Sequence, residues 1–335
     1  MPERICVVGA GASGLTAKTC LENGLQVVCF EKFSDIDGLW RYKPTLSWFG
    51  FKNFYRIYLF FGRRYRDEKH DNQSRMTAFS DFVPPPEMPN FMSHPQMLAY
   101  FRSYADHFHL LQHIRLSHEV RHIERDEKYE ETGRWSVTCC VIDDNTTQTE
   151  KFEGILLCCG HHTIPYWPEP FSGQDKFRGE IIHSHDYREP FSYIDKTVVL
   201  IGIGNSSGDI ARATVYISIR SGTWVISRTW DKVNQSILFL SVATCRHWST
   251  NDMKRNLICS LIMDDMIKPN VARFTEHDVI FEDGTAVCNV DAVIFGTGYS
   301  FQFPIVENGN LIPVTNNKVN LYLHIFPLQF TYNYQ

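Results

Sequence analysis

Residues 4–31, RICVVGAGASGLTAKTCLENGLQVVCFE, decide the fold. An apolar run ends in glycine, a helical stretch follows that Gly24 can end, and a second apolar run closes with Glu31. Strand, turn, helix and strand within about 30 residues make a βαβ unit. This stretch therefore predicts an α/β fold.

The turn inside this unit carries the glycine pattern GxGxxG. The first glycine allows the tight turn, the second lets a pyrophosphate approach the backbone, and the third lets helix and strand pack closely. The helix N-terminus offers N–H groups to phosphates. The carboxylate of Glu31 can accept hydrogen bonds from ribose hydroxyls, although alone it could be a solvated strand end. The unit predicts a Rossmann-like dinucleotide site, with candidate binding residues Gly9, Ala10, Gly11, Ala12, Ser13, Gly14 and Glu31.

A second βαβ unit begins at Thr197 and contains the loop Gly202-Ile203-Gly204-Asn205-Ser206-Ser207. Ser207 stands where the third glycine is expected, and serine is small enough for close packing. The next strand ends at Arg220, which suits the 2′-phosphate of NADP unless it is simply a surface residue. The candidate NADP-binding residues are Gly202, Gly204, Asn205, Ser206, Ser207, Gly208, Asp209 and Arg220. Two nucleotide sites in one chain imply a redox relay.

The composition is that of an ordinary soluble globular chain of 335 residues, long enough for two domains. Its net charge of -5 argues against non-specific nucleic-acid binding. The ten cysteines show no metal-ligand spacing, so we expect a reduced, cytosol-facing protein without a metal site. No stretch predicts a membrane span. The aromatic-rich residues 46–62 are either a buried insertion or a segment lying on a membrane surface.

Between and after the two units the pattern changes several times. Residues 96–111 predict a helix. Period-two alternation then predicts three antiparallel strands, HEVRHIERD, RWSVTCCVID and KFEGILLCCG. Prolines 165, 168 and 170 mark a linker, and Asp283-Gly284 between two apolar runs predicts a hairpin turn.

Residues 177–187, between the two glycine loops, read FRGEIIHSHDY, which has the pattern FxGxxxHxxxY. With a glycine loop on either side, this pattern resembles the signature of the flavin-containing monooxygenases. The similar Baeyer–Villiger enzymes usually carry tryptophan at the last position, where this chain has Tyr187. Further segments resemble the family's GGLW, its asparagine loop beside the flavin, the GHH before its linker, and its FATGY. They are Asp37-Gly38-Leu39-Trp40, Asp71-Asn72-Gln73-Ser74, Gly160-His161-His162 and Phe295-Gly296-Thr297-Gly298-Tyr299.

The resemblance implies two Rossmann-like domains, an FAD domain with an inserted NADP domain, and the cofactors FAD and NADPH. The implied bounds are 1–165 for the first FAD segment, 166–190 for the linker, 191–275 for the NADP domain and 276–335 for the return to the FAD domain. It also adds candidate cofactor-binding residues, namely Gly38, Leu39, Trp40, Asn72, Gln73, Thr297 and Gly298.

The implied reaction is an oxygenation. NADPH reduces FAD, the flavin binds dioxygen at C4a, and the hydroperoxyflavin oxygenates a soft nucleophile, a tertiary amine or a sulfide. The protein mainly has to exclude water, so His183 receives no role in proton transfer. Asn72 is the candidate catalytic residue that contacts the flavin intermediate, or else a turn asparagine. The implied partners are a small amine or sulfide, including xenobiotics, and dioxygen. The implied location is the cytoplasm or the cytosolic face of the endoplasmic reticulum, with residues 46–62 as a candidate peripheral membrane contact.

Three departures from the family leave alternatives open. Residues 46–62 have no counterpart, and the NADP domain after Trp230 is shortened. The sequence also ends soon after FGTGY, before the part that completes the FAD domain and carries an anchor in vertebrate members. One alternative is therefore a non-catalytic, truncated nucleotide-binding remnant, and another is a Baeyer–Villiger-type monooxygenase. A flavin disulfide reductase would need a cysteine pair such as CxxxxC after the first glycine loop, and the sequence has none.

Overall fold

The structure is a computed structural model that describes residues 2–36, 38–41, 78–88, 92–211, 215–220 and 266–328. Within them the α-helices are α1 (Ala17–Glu22), α2 (His94–His107), α3 (Tyr129–Thr132) and α4 (Asn205–Ile210). The strands are β1 (Arg4–Val8), β2 (Gln26–Phe30), β3 (Ile114–Arg115), β4 (His118–Arg125), β5 (Trp135–Val141), β6 (Thr146–Phe152), β7 (Gly154–Leu157), β8 (Ile164–Pro165), β9 (Glu180–His183), β10 (Val198–Ile201), β11 (Val215–Ser218), β12 (Ile267–Lys268), β13 (Val271–Phe274), β14 (Val279–Phe281), β15 (Ala286–Val287), β16 (Ala292–Phe295), β17 (Tyr299–Ser300), β18 (Val314–Thr315), β19 (Lys318–Val319), β20 (Leu321–Tyr322) and β21 (Phe326–Pro327).

The described residues form two compact units. The first unit draws on the ranges Met1–Arg41, His94–Ile164 and Tyr299–Gln335, and the second on Tyr42–Ser93 and Pro165–Gly298. The first unit is therefore assembled from separate stretches of the chain.

The first unit is built on a parallel sheet with the strand order β3-β2-β1-β7. Strand β1 has β2 on one side and β7 on the other, with Val7 opposite both Cys29 and Leu156. Cys6 and Val7 are fully buried, because a strand inside a parallel sheet is covered on both faces. The first glycine loop thus begins at the carboxyl end of an inner strand, where open α/β sheets bind their ligands.

A three-stranded antiparallel sheet, β4-β5-β6, completes the first unit's core. Along β5, Trp135, Val137 and Cys139 are buried, as the alternation of an antiparallel strand requires. The segment after β17 packs on this sheet, since the N–H of Ile123 donates to the carbonyl of Ile305 at 2.7 Å.

The second unit contains a five-stranded parallel sheet with the order β12-β11-β10-β16-β9. Every residue of β10 and of β16 is buried, and Ile201 lies opposite Phe295 at their carboxyl ends. Strands β13, β14 and β15 form a small antiparallel sheet in the same unit. The fold class is confirmed: this is an α/β protein with two Rossmann-like parallel sheets.

Several local predictions are also confirmed. Both βαβ units form, since β1 and β2 are parallel neighbours and so are β10 and β11. A helix covers most of residues 96–111, and β14 and β15 make the hairpin that turns at Asp283-Gly284.

One strand prediction was wrong. The stretch KFEGILLCCG is not a single antiparallel strand, because Phe152 ends β6 whereas Gly154–Leu157 is β7, parallel to β1. The change of partner occurs at Glu153, whose N–H donates to the carbonyl of Arg4. GILL is a continuous apolar run, which is typical of an inner parallel strand rather than of an alternating one.

Two boundaries differ from the prediction. The segment expected to be a linker, 166–190, contains β9, which pairs with β16 as a full member of the second sheet. The chain returns to the first unit at Tyr299, not at residue 276. The reason is that β13 to β15 and the fully buried β16 belong to the second unit, and β16 pairs in parallel with β10.

Candidate functional site

The first glycine loop is shaped by contacts within the first unit. Gly9 follows β1 with φ +98°, a conformation that favours glycine. A Cβ on Gly9 would lie 2.7 Å from the carbonyl oxygen of Cys158, and a Cβ on Gly14 would lie 1.9 Å from that of Gly9. The protein itself therefore requires glycine at both positions.

Gly11 differs from these two glycines. Among the described residues, a Cβ there would contact only the backbone of Gly38, at an ordinary 3.6 Å from its Cα atom. The fold has room for a side chain at Gly11, so the absence of one leaves space for a ligand. This matches the role of the second glycine, which lets a pyrophosphate reach the backbone. The loop therefore fits a dinucleotide such as FAD.

The remaining residues of the first loop lie around this opening. Ala10 is fully buried, whereas Ser13 is exposed. The N–H of Leu15 donates to the carbonyl of Gly11 at 3.1 Å, so Ala12 and Ser13 lie within a tight turn leading into α1.

Glu31 is brought to the first glycine loop, as its place in the sequence suggested. Its side chain is buried, and one carboxylate oxygen accepts the N–H of Ala10 at 2.7 Å. The other oxygen accepts the N–H of Phe33 at 3.0 Å. A carboxylate has about four acceptor positions, so Glu31 can hold the loop and still accept a ribose hydroxyl.

The segment Gly38-Leu39-Trp40 forms a short 3-10 helix beside this loop. Leu39 is partly buried. The Trp40 side chain is 5% exposed, with its ring 6.0 Å from that of Phe101 on α2. Trp40 therefore packs in the core of the first unit, and Gly38 is the residue of this segment whose backbone meets the loop.

The second glycine loop repeats the geometry of the first. Gly202 follows β10 with φ +100°, and a Cβ there would lie 2.7 Å from the carbonyl oxygen of Gly296. A Cβ on Gly204 would meet no atom of the described residues within 4 Å. Helix α4 begins directly after Gly204, and the N–H of Gly208 donates to the carbonyl of Gly204 at 2.9 Å. This loop also fits a pyrophosphate.

The other predicted NADP-site residues have different environments. Ser207 is fully buried, Ser206 is partly buried, and Arg220 is exposed beyond the end of β11. The backbones of Asn205 and Asp209 lie in α4. Because Arg220 is exposed to solvent, its guanidinium group is accessible to a ligand.

Thr297 and Gly298 follow β16 and are held by Tyr166. The Thr297 hydroxyl donates to the carbonyl of Tyr166 at 2.5 Å, and the N–H of Tyr166 donates to the carbonyl of Gly298 at 2.9 Å. These two bonds fix the chain after β16, the strand next to the one that carries the second loop.

The signature FxGxxxHxxxY is a packing motif in the second unit. Phe177 packs edge-on against Phe274. A Cβ on Gly179 would lie 2.8 Å from the carbonyl of Asp291. Tyr187 is 2% exposed and stacks on Tyr193.

His183 is fully buried within this motif, and its Nδ1 accepts the N–H of His185 at 3.0 Å. Burial is the main cause that lowers the pKa of His183 to about 4. The side chain is therefore neutral at pH 7.

Two further histidines are neutral at the carboxyl edge of the first sheet. His161 and His162 follow β7, with ring centroids 3.8 Å apart, and His162 lies 4.9 Å from the ring of Tyr299. Partial desolvation lowers the pKa of both rings, that of His162 to about 4. This edge therefore presents uncharged rings.

Sequence reasoning missed two residues that shape the loops, Cys158 and Gly296. Each follows directly on the strand beside a loop strand, and its carbonyl limits the first glycine of that loop. The available signal was an apolar run with a short glycine-containing segment after it.

Asn72 and Gln73 lie outside the described residues, as do residues 46–62.

The described residues contain no group of three or more His, Cys, Asp or Glu side chains that could hold a metal ion. The eight cysteines among them are free thiols. No helix in the described part of the chain is long and apolar enough to cross a membrane.

Comparisons with known proteins agree with this geometry. The family profile described as Flavin-binding monooxygenase-like matches residues 2–247 and 241–333. Flavin-containing monooxygenase 5 of Rattus norvegicus is 35% identical over 372 aligned positions, covering 97% of this chain and 67% of the relative. Dimethylaniline monooxygenase [N-oxide-forming] 2 of Pan troglodytes is 32% identical over 377 positions, covering 98% of this chain and 67% of the relative.

Among solved structures, S-allyl-L-cysteine S-oxygenase from Allium sativum shares the fold, with a TM-score of 0.69 at 24% identity. The alignment covers 98% of this chain and 70% of that one. The two glycine loops, the signature motif and these matches together place the chain in the flavin-binding monooxygenase-like family, as an FAD- and NADPH-dependent monooxygenase.

Proposed function

We propose that this monooxygenase oxygenates soft nitrogen or sulfur nucleophiles, such as tertiary amines and thioethers. The observation that carries the proposal is the repeated loop geometry. A Cβ on Gly9 or on Gly202 would lie 2.7 Å from the carbonyl oxygen that follows the neighbouring strand, and Gly11 and Gly204 each leave an opening. Two such loops suit the transfer of reducing equivalents from NADPH to FAD. When bound, the reduced flavin supplies the oxidant as its C4a-hydroperoxide.

The character of the described titratable groups supports this substrate class. An oxidant that forms before the substrate arrives needs an environment without water and without a strong acid. Partial desolvation lowers the pKa of His161 and of His162, so both rings are neutral at pH 7. The relative from Pan troglodytes is named for forming N-oxides, which favours amines.

The chain's own residues have distinct proposed roles. The loop at Gly11 and the carboxylate of Glu31 bind the pyrophosphate and ribose of FAD. The loop at Gly204 binds NADPH, and Arg220 selects its 2′-phosphate over NADH. Asn72 donates to the flavin intermediate and delays its decay, so we propose it as the catalytic residue.

The experiment is a coupled assay on the purified chain. The visible absorbance of oxidised flavin would report bound FAD. NADPH consumption and product formation are then measured with a tertiary amine, a thioether and a cyclic ketone. We expect N-oxide and sulfoxide formation in step with NADPH oxidation, with ¹⁸O from labelled dioxygen in the products.

The outcomes separate the alternatives. Lactone as the main product would replace the proposal with Baeyer–Villiger chemistry, which the tyrosine at position 187 disfavours. A chain that binds no flavin, or binds it without oxygenating any of the three substrates, would support the non-catalytic remnant instead. Gly11→Ala is the matched control, because it should abolish product through loss of FAD.

The cellular location belongs to the same proposal. The Lys52, Arg56 and aromatic side chains within residues 46–62, followed by Arg63 and Arg64, suit the headgroup region of a membrane. We place the chain in the cytoplasm or on the cytosolic face of the endoplasmic reticulum. Co-sedimentation with anionic vesicles, lost when 46–62 is replaced by a Gly/Ser linker, would support the peripheral contact, and unchanged sedimentation would refute it.

A further inference from the structure

The third position of the two glycine loops is occupied differently. The first loop has Gly14, where a Cβ would lie 1.9 Å from the carbonyl oxygen of Gly9, so no side chain fits. The second loop has Ser207 at the equivalent position, and its side chain is fully buried. Space for this serine must come from another residue.

That space comes from Gly296. A Cβ on Gly296 would lie 1.7 Å from the Ser207 hydroxyl oxygen and 3.1 Å from the Ser207 Cβ. The serine side chain therefore occupies the volume that a side chain at position 296 would need. The position corresponds to the alanine of the FATGY segment that this chain's FGTGY resembles.

The first unit contains the opposite arrangement. Cys158 is the counterpart of Gly296. The carbonyl oxygen of each would lie 2.7 Å from a Cβ on the first glycine of its loop. Cys158 carries a side chain, and its Cβ lies 3.8 Å from where a Cβ on Gly14 would be. Each loop thus has one side chain in this contact. In the first loop this side chain is that of Cys158, which follows β7. In the second loop it is that of Ser207, which lies in α4.

We infer that Ser207 and Gly296 are a coupled pair that positions the second glycine loop for NADPH. This inference rests on the proposed assignment of that loop to NADPH. A side chain at 296 would push Ser207 and the start of α4 away from β16. It would also displace the carbonyl of Gly296, against which Gly202 turns. Both movements would shift the loop N–H groups to which we assign the pyrophosphate.

The hydrogen bonding of the Ser207 hydroxyl also supports the pairing. The Ser207 hydroxyl is buried without a hydrogen-bond partner among the described residues. A buried hydroxyl without a partner is unfavourable, so hydrogen bonding does not explain serine at this position. The presence of serine is explained instead by the space that its side chain fills beside Gly296. We therefore treat Ser207 as a positioning residue and not as a ligand of the cofactor.

A double-mutant cycle tests the pair in the full chain loaded with FAD. The variants are Gly296→Ala, Ser207→Gly and the double variant, which recreates the arrangement of the first loop. We expect Gly296→Ala to raise the KM for NADPH at least about tenfold, with kcat at saturating NADPH retained to within about threefold. The double variant should recover most of the lost affinity, and Ser207→Gly alone should raise KM less than Gly296→Ala.

The outcomes are distinct. Additive effects on KM, with the double variant no better than Gly296→Ala, would overturn the pairing. Coupling in the melting temperature without coupling in the KM for NADPH would overturn the positioning role. Gly204→Ala tests the underlying assignment, since its methyl group would contact no atom within 4 Å in the part of the chain that the structure describes. If Gly204→Ala leaves the KM for NADPH unchanged, the assignment of the second loop fails.

Discussion

Replacing Gly11 by alanine should separate cofactor binding from folding. A Cβ there would lie 3.6 Å from the Cα and 3.9 Å from the N atom of Gly38, both ordinary contacts. The φ of Gly11 is not positive, so alanine can adopt it. We therefore expect the free energy of unfolding of the flavin-free protein to change by less than about 1 kcal/mol, with a gain if unfolded-state entropy dominates.

Binding of FAD should weaken strongly in the same variant. The methyl group would stand where the pyrophosphate approaches the backbone and would lengthen hydrogen bonds from N–H groups to a charged acceptor. Each such bond contributes about 1.5–3 kcal/mol, and losing one raises Kd by about 10- to 100-fold. The expected signature is a stable protein that holds little flavin.

Gly14→Ala is the matched control, with the opposite signature. Its Cβ would lie 1.9 Å from the carbonyl oxygen of Gly9 and 2.9 Å from the carbonyl carbon, so the backbone must move. Overpacking of this kind costs about 3 kcal/mol, with more expected where backbone rather than a flexible side chain must yield. We expect this variant to lose stability in the flavin-free form.

Two measurements on deflavinated protein check the contrast. Urea unfolding gives the stability of each variant, and quenching of flavin fluorescence on titration gives the Kd for FAD. An unchanged Kd for Gly11→Ala would refute our assignment of Gly11 as the point of pyrophosphate approach. A loss of several kcal/mol in its stability would refute the finding that the fold has room there.

Three further outcomes are expected. Arg220→Gln should raise the KM for NADPH about tenfold or more and leave that for NADH unchanged, as measured by initial rates. Asn72→Ala should raise the hydrogen peroxide released per NADPH oxidised several-fold, on the order of 2–10, in a peroxidase-coupled assay. Because the pKa of His183 is lowered to about 4 in the folded state, the unfolded state takes up this proton at a higher pH than the folded state does. His183 should therefore contribute about 2 kcal/mol to the fall in the free energy of unfolding between pH 7 and pH 5, and His183→Gln should remove that contribution.

The elements of the fold that the sequence predicted best are those in which the local pattern and the packing of the sheet favour the same residues. Both βαβ units combine an apolar strand, a turn that only glycine permits and a short helix, so one pattern indicates all three. The strand GILL was mispredicted because Lys151 and Phe152, shortly before it, end the antiparallel strand β6. Periodicity describes which faces are covered, whereas the choice of β1 as partner is made by tertiary contacts.

The candidate site was predictable only in part, for a related reason. Glu31 could be placed at the first loop because the βαβ geometry fixes where the second strand ends. The partners of the loops lie far along the chain, Cys158 at 149 residues from Gly9 and Gly296 at 94 residues from Gly202. Their contacts depend on which strand lies beside the loop strand, and nothing in the local sequence states this.

The two loops together show what the third glycine of such a pattern does. Gly14 is required because a Cβ there would lie 1.9 Å from the carbonyl oxygen of Gly9. In the second loop, the Ser207 side chain occupies the volume that a side chain at position 296 would need. The contact between helix and strand end in that loop therefore accommodates one side chain, which can come from position 207 or from position 296. A departure from GxGxxG at this position should be judged together with the residue after the neighbouring strand, since a small residue there can preserve the site.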